Sequence, residues 1–431
     1  MKKNILAILI ALICSLTACS YKDEKAFDIV SETKSSAKIS INRKIEYSDV
    51  IYKDLSKVYI KNNTIKYNIE MPKINTDSID IEDKTDTNKI NETSVNDIDV
   101  EVDNTVEEDK NTDLEVEQVL ILDGTYIYCP STFLDEAGLH SYYCSNSNPY
   151  QIIDSIYYSD VTCNSDSTIE FINRLEILSP TPGSWDSVHV CDPSIVSGNF
   201  YYQGTQYKYL MAYLGCSTTD NQQNQIGFAV SNNLTNGWIK IASNPIVSCN
   251  YDSNYSEFQW GVGQPSLINL DGAGHVLLFY TEGTYNLTCT KVQEWDLSNL
   301  DTPTLITATN LSNNGTNDFI SNADFALSNN TLYMVCDTHP FGGNLLNCVP
   351  DTSTIYSCAW DGSTESLNSV TWNKITSLDV NTTGFQKNHN CGLYRTLQGT
   401  LASNKCIYTS ASEKNNFIES LCTYRLNYLD W

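Results

Sequence analysis

The chain has 431 residues, a formal net charge of −26 and only five histidines. Its own field would repel nucleic acid or an anionic surface, so neither is expected as a partner. The length exceeds one ordinary domain, but the charge is concentrated: between Asp77 and Glu117, sixteen acids face three lysines and carry half of the excess.

Residues 1–18 read as an export signal. Lys2 and Lys3 precede an apolar run from Ile5 to Ile13, which ends at Leu16-Thr17-Ala18-Cys19. The run is short for a membrane span. The ending resembles the bacterial lipobox, in which the cysteine is lipid-modified and becomes the new N-terminus. That resemblance implies lipidation at Cys19, an extracytoplasmic place on the bacterial cell surface, and membrane contact through acyl chains alone. An ordinary signal peptide with an incidental cysteine is the plainer alternative.

Residues 19–117 read as a low-complexity acidic spacer. Its first part, Lys38 to Met71, alternates Ile, Val and Tyr with Lys and Asn and could pair weakly as strands. Its second part, 74–117, lacks aromatics, Gly and Cys. Such a segment cannot bury enough apolar surface to offset its ordering entropy, so the spacer is expected to be largely disordered. An interaction tail is the alternative.

From residue 118 to 431 the composition changes. All seven Trp lie here, with thirteen cysteines between Cys129 and Cys422. None forms a Cys-x-x-Cys pair, so no zinc-site spacing is present and no metal ligands are assigned. Disulfides and buried free thiols both remain open. Short β-branched and aromatic segments, broken by Asn, Gly, Ser, Asp and Pro, define an all-β pattern.

Self-comparison finds five units of meander type. The second runs Asp192-Pro193-Ser194-Ile195-Val196, then Lys208–Gly215, Gln225–Ser231 and Gly237–Ile241. The third repeats this opening as Gln264-Pro265-Ser266-Leu267-Ile268. The fourth begins near Asn322–Leu327 and the fifth near Asn390–Tyr394, while the first, from Val119 to about Leu178, is divergent. The expected fold is a five-bladed β-propeller of four-stranded antiparallel blades, with a β-sandwich as the alternative.

The Asp192-Pro element, Ile226-Gly-Phe-Ala-Val-Ser231 and Gly237-Trp238 make residues 118–431 resemble the five-bladed propellers of glycoside hydrolase family 43 and its clan relatives. The resemblance implies a carbohydrate substrate or ligand and inverting hydrolysis, in which one carboxylate activates water and another group protonates the leaving oxygen. It implies Asp192 as the general base and Asp324 as a second, tuning Asp. The match of Asp324 is loose, because Ala323 aligns with Asp192 when no shift is allowed. The family's Glu general acid does not carry over, since His389-Asn390-Cys391-Gly392 stands in its place. Glu282 and Glu257 are the nearest substitutes. No cofactor is required. An axial Ca2+ or other ion in the funnel is expected at most, and His389 resembles the His that faces it in some members.

The remaining candidates are placed by position. Trp185 and Trp260 precede inner strands and could stack on a sugar ring. Asp186, His189, Gln264, Ser266, Asn390 and Arg395 could line the funnel and bind hydroxyls. A monomer is expected. The rival reading is a non-catalytic glycan-binding surface lipoprotein that lacks the acid.

Overall fold

The computed structural model describes residues 123–164, 169–218, 222–248, 260–284, 287–316, 320–338 and 350–431, together with two short strands earlier in the chain. Two units are distinguished. In the unit Phe27–Glu117, the described residues are the antiparallel pair β1 (Val58–Lys61) and β2 (Thr64–Tyr67), with Val58 opposite Tyr67. The other expectations for residues 1–117, including Cys19, lie outside the described residues.

The larger unit is built from antiparallel meanders. The first comprises β3 (Ile127–Asp135), β4 (Gly138–Asn146), β5 (Asp154–Cys163) and β6 (Ile169–Leu178). The second comprises β7 (His189–Tyr202), β8 (Thr205–Cys216), β9 (Gln225–Ser231) and the two-residue β10 (Ile239–Lys240), with β11 (Val247–Ser248) also on β9. The third comprises β12 (Gly261–Asn269), β13 (His275–Thr284), β14 (Leu287–Asp296) and β15 (Thr304–Asn310). The fourth comprises β16 (Asp324–Ser328), β17 (Thr331–Asp337), β18 (Ser353–Ala359) and β19 (Asn373–Leu378). Three strands end the chain: β20 (Lys387–Arg395), β21 (Leu401–Ala411) and β22 (Arg425–Asp430). The last meander joins the first through one parallel pair, Arg395 opposite Phe133, giving a seven-stranded sheet.

The first strands of the meanders touch in a closed cycle: β3 with β7, β7 with β12, β12 with β16, β16 with β20, and β20 with β3. Burial follows this order. Every residue of β20 is buried, and β7 is buried from His189 to Val196 apart from Asp192, whereas β15 at the other edge of its sheet is mostly exposed. Inner strands covered on both faces are nearly continuous apolar runs, and outer strands alternate. Apolar clusters fill the junctions between neighbouring meanders. Phe133 and Tyr142 pack with Val190, Ile195 and Met211. Val196 and Leu210 pack with Val262 and Leu267. Phe279 stacks on Phe325 at 4.0 Å between ring centroids, a contact worth about 1 kcal/mol beyond its burial. Tyr394 and Ile407 close the cycle against Ile127 and Tyr143.

One local feature recurs on the inner strands. Pairing skips two residues between Tyr128 and Ser131, Cys191 and Ser194, Gly263 and Ser266, and His389 and Gly392. The skipped pairs are Cys129-Pro130, Asp192-Pro193, Gln264-Pro265 and Asn390-Cys391. In the fourth meander, Asn322-Ala323 stands directly before β16. The leading residue has a left-handed φ each time: Cys129 50°, Asp192 49°, Gln264 55°, Asn322 47° and Asn390 44°. Proline has no N–H to give the ladder, so the strand bulges there. A left-handed non-glycine costs about 1–3 kcal/mol, and such strain gathers at functional sites.

The repeat corrects one alignment. Asn322, not Asp324 or Ala323, occupies the position of Asp192. Asp324 falls two residues later, level with Ser131, Ser194, Ser266 and Gly392. A short helix, Phe417–Leu421, capped by the Asn416 side chain, precedes β22.

Candidate active site on the axis of the inner strands

A cavity opens where the four bulges and Asn322-Ala323 meet. It is lined by Cys129, Pro130, Ser131, Asp192, Pro193, Gln264, Pro265, Asn322, Ala323, Asp324, Asn390 and Cys391. Its rim is the ring of left-handed residues. The lining thus brings together two carboxylates, three carboxamides and two thiols.

The ring is partly self-satisfied. Gln264 and Asn322 bond reciprocally: Asn322 N–H donates to Gln264 Oε1 at 2.7 Å, and Gln264 Nε2 donates to Asn322 Oδ1. Asn390 Nδ2 donates to Cys129 Sγ at 2.6 Å. Among the described residues Asp192 has no ion-pair partner. Burial pushes its carboxyl pKa up, bonds from the Cys129 thiol and the Gln264 N–H together with the charge of His389 pull it partly back, and the Asp154 carboxylate adds to the rise.

Two carboxylates that carry no motif support this ring. Asp337, 1% exposed at the end of β17, accepts from His389 Nδ1 at 2.7 Å, Asn390 N–H at 3.2 Å, Ser353 Oγ at 3.1 Å and Asn322 Nδ2. Asp154, at the start of β5, accepts from the Tyr128 hydroxyl at 2.7 Å and from Tyr126. Its N–H donates to His189 Nδ1 at 3.4 Å. Burial pushes the His189 pKa down. Neither Asp precedes a Pro or sits in a repeated element, so the sequence offers no signal for them. Cys129-Pro130-Ser131 did offer one, since it matches the openings of the second and third units.

Directly below the ring most polar groups are paired within the protein, although the buried Arg395 Nε has no partner among the described residues. Ser194 Oγ accepts from Leu267 N–H at 2.9 Å, Ser266 Oγ from Phe325 N–H at 3.1 Å, and Asp324 Oδ2 from Leu393 N–H at 2.9 Å. Each stitches one inner strand to the next. Arg395, 2% exposed, reaches Asp324 Oδ1 at 3.2 Å and donates to Ser194, Ser266, Leu267 O and Phe325 O.

Of the residues anticipated for the site, Asp192, Gln264, Asn390 and Asp324 line the cavity, and His389 stands behind it on Asp337. The others are placed elsewhere among the described residues. Ser266 and Arg395 belong to the buried layer beneath, where their donors and acceptors bind protein. Asp186 is fully buried against Lys240 Nζ at 2.5 Å and the Tyr213 hydroxyl at 3.2 Å. Trp185 stacks on Tyr213 at 5.7 Å and fills the space that side chains at Gly215 and Gly227 would need. Trp260 lies over Gly263 and Gly283 beside Leu214 and a thiol cluster. His189 is buried beside Asp154. Glu282 pairs with Lys291 at 2.5 Å on the third sheet and does not line the cavity. Glu257 lies outside the described residues.

The axial ion implied by the resemblance is tested by the donor set. Calcium takes about six to eight oxygens. Here Gln264 and Asn322 spend their oxygens on each other, Asp324 is spent on Arg395, His389 Nδ1 on Asp337, and a thiol stands beside Asp192. The residues do not fit a calcium ion.

No family model and no curated protein matches the chain. Solved structures similar to it are glycoside hydrolases. A family 117 glycoside hydrolase from the marine bacterium Zobellia galactanivorans is 10% identical over 73% of this chain and 88% of its own, with a TM-score of 0.47. A thermostable family-43 glycoside hydrolase is 17% identical over 71% and 90%, at 0.44. An alpha-L-arabinofuranosidase from Lactobacillus brevis is 10% identical over 70% and 90%, also at 0.44.

Proposed function

We propose that the chain is an exported, lipid-anchored five-bladed propeller that hydrolyses glycosidic bonds of an oligo- or polysaccharide in the axial cavity, with inversion. The five meanders are the blades, the last of three strands. The observation that carries the reading is the position of Asp192: a carboxylate on the cavity wall with no lysine or arginine spent on it, while Asp324 is neutralised by Arg395. Asp192 is the general base and takes a proton from the attacking water. His389, held through Nδ1 by Asp337, gives a proton to the leaving oxygen from Nε2. Carbon–oxygen cleavage and water addition then balance, and the sugar leaves with inverted configuration. Gln264, Asn322 and Asn390 offer amide groups to sugar hydroxyls.

Non-catalytic glycan binding is the second reading. The carboxamides at Gln264, Asn322 and Asn390, ring positions equivalent to Asp192, favour it. The experiment is turnover of aryl glycosides, arabinan, xylan and fructan by the wild type and the His389→Asn variant, with the anomeric configuration of the product followed by NMR. Turnover with inversion that falls in the variant supports hydrolysis. Glycan binding without turnover moves the assignment to the second reading.

A further inference from the structure

The fold gathers thiols that are far apart in sequence. Cys129 lies in the bulge of β3, Cys144 on β4 beside it, and Cys191 on β7 of the next meander, directly before Asp192. The sulfurs of Cys129 and Cys144 and a carboxylate oxygen of Asp192 all lie within 4.8 Å of one another. Cys191 packs in the same cluster, with Leu214, Tyr128 and Trp260 around it. In a tetrahedral thiolate site with metal–sulfur bonds of about 2.3 Å, neighbouring ligand atoms stand about 3.8 Å apart. The observed cluster is a small contraction away from that geometry.

A second observation concerns the sulfurs. The Asp192 N–H donates to Cys144 Sγ at 2.9 Å, and Asn390 Nδ2 donates to Cys129 Sγ at 2.6 Å. Donors aimed at ligand atoms are what holds thiolates in place around a cation. A core packed only for volume has no need of them. Both donors belong to left-handed residues of the ring, Asp192 through its backbone N–H and Asn390 through its side-chain amide.

We infer that Cys129, Cys144 and Asp192 form a binding site for a soft or borderline divalent cation, zinc being the type ion. Thiolate softness selects such an ion over calcium or magnesium. Binding one Zn2+ displaces two protons from the thiols to solvent, forms two Zn–S bonds and one Zn–O bond to Asp192, leaves the fourth position to water, and changes no oxidation state. The affinity therefore weakens as the pH falls. The thiols carry this inference, which goes beyond the hydrolase reading and stands without it. An ion there takes the Asp192 carboxylate as a ligand and so competes with its role as a general base.

The test uses the reduced full-length chain titrated with Co2+ as an optical probe, followed by Zn2+ competition and metal analysis. The expected result is one equivalent bound with a sulfur-to-cobalt charge-transfer band, displaced by Zn2+. Cys129→Ser with Cys144→Ser together should weaken binding at least about 100-fold. Cys289→Ser, a half-buried thiol on another sheet, should leave it unchanged. Asp192→Asn should keep the charge-transfer band, which separates this result from any loss of turnover. Absence of that band in the reduced wild type overturns the proposal, and requires no variant to fold. So does an equal band in the double variant, or an isolated protein lighter by two hydrogens through a Cys129–Cys144 disulfide.

Discussion

Two layers of the axis lie one step apart on the same strands and obey opposite rules. The upper ring, Cys129, Asp192, Gln264, Asn322 and Asn390, is left-handed throughout and faces a cavity. The layer beneath, Ser194, Ser266, Asp324 and Arg395, bonds to the next inner strand at each step. The lower layer holds the cycle together, and the upper one carries strain and a carboxyl whose pKa burial pushes up. Stability and chemistry are thus separated by two residues at Asp192/Ser194, Gln264/Ser266 and Asn322/Asp324.

Substitutions can break or sharpen this contrast. The largest expected effect is on the upper layer. Asp192→Asn should lower turnover by about 10³-fold, as loss of a positioned general base does. Its effect on stability should have the other sign. The folded pKa of Asp192 is raised, so the folded state holds this proton more tightly than the unfolded one. The ionised carboxyl therefore costs stability once the pH rises through the folded pKa, and that cost is absent below the unfolded value of about 3.9. The variant should match or exceed wild type near pH 7, with the advantage fading as the pH falls below the unfolded value of about 3.9. Urea unfolding at both pH values checks it.

The lower layer should respond in reverse. Arg395→Met leaves Asp324 without its cation and should cost about 3–5 kcal/mol in urea unfolding. A rise in KM with unchanged stability would instead return Arg395 to the substrate. Gly392→Ala brings a Cβ to 2.2 Å from the Pro130 carbonyl and should cost about 1–3 kcal/mol, since that contact is backbone. The smallest effect expected on glycan affinity is that of Trp185→Phe. Its ring packs on Tyr213 rather than on the cavity, so isothermal titration with a glycan ligand should show affinity within about twofold while the melting temperature falls.

The repeat was legible where proline marks it. Asp192-Pro193-Ser194 and Gln264-Pro265-Ser266 announce the inner strands of two meanders, and the alternating segments after them announce the rest. Where Asn322-Ala323-Asp324 lacks the proline, the frame slips by two and a structural Asp looks like a partner of Asp192. Trp185 and Trp260 sit just before inner strands, but small residues at Gly215, Gly227, Gly263 and Gly283 draw their rings onto the sheets. That pairing is a matter of cross-strand register, which spacing does not reveal. Asp154 and Asp337 matter only through what converges on them, and the thiol cluster exists only once β3, β4 and β7 are side by side.

The most direct measurement of the central claim takes turnover and unfolding free energy of Asp192→Asn on the same preparation at pH 7. The account predicts turnover reduced by about 10³-fold with stability equal to wild type or higher. Unchanged turnover with a loss of stability would make Asp192 a structural turn residue and contradict the division between the two layers.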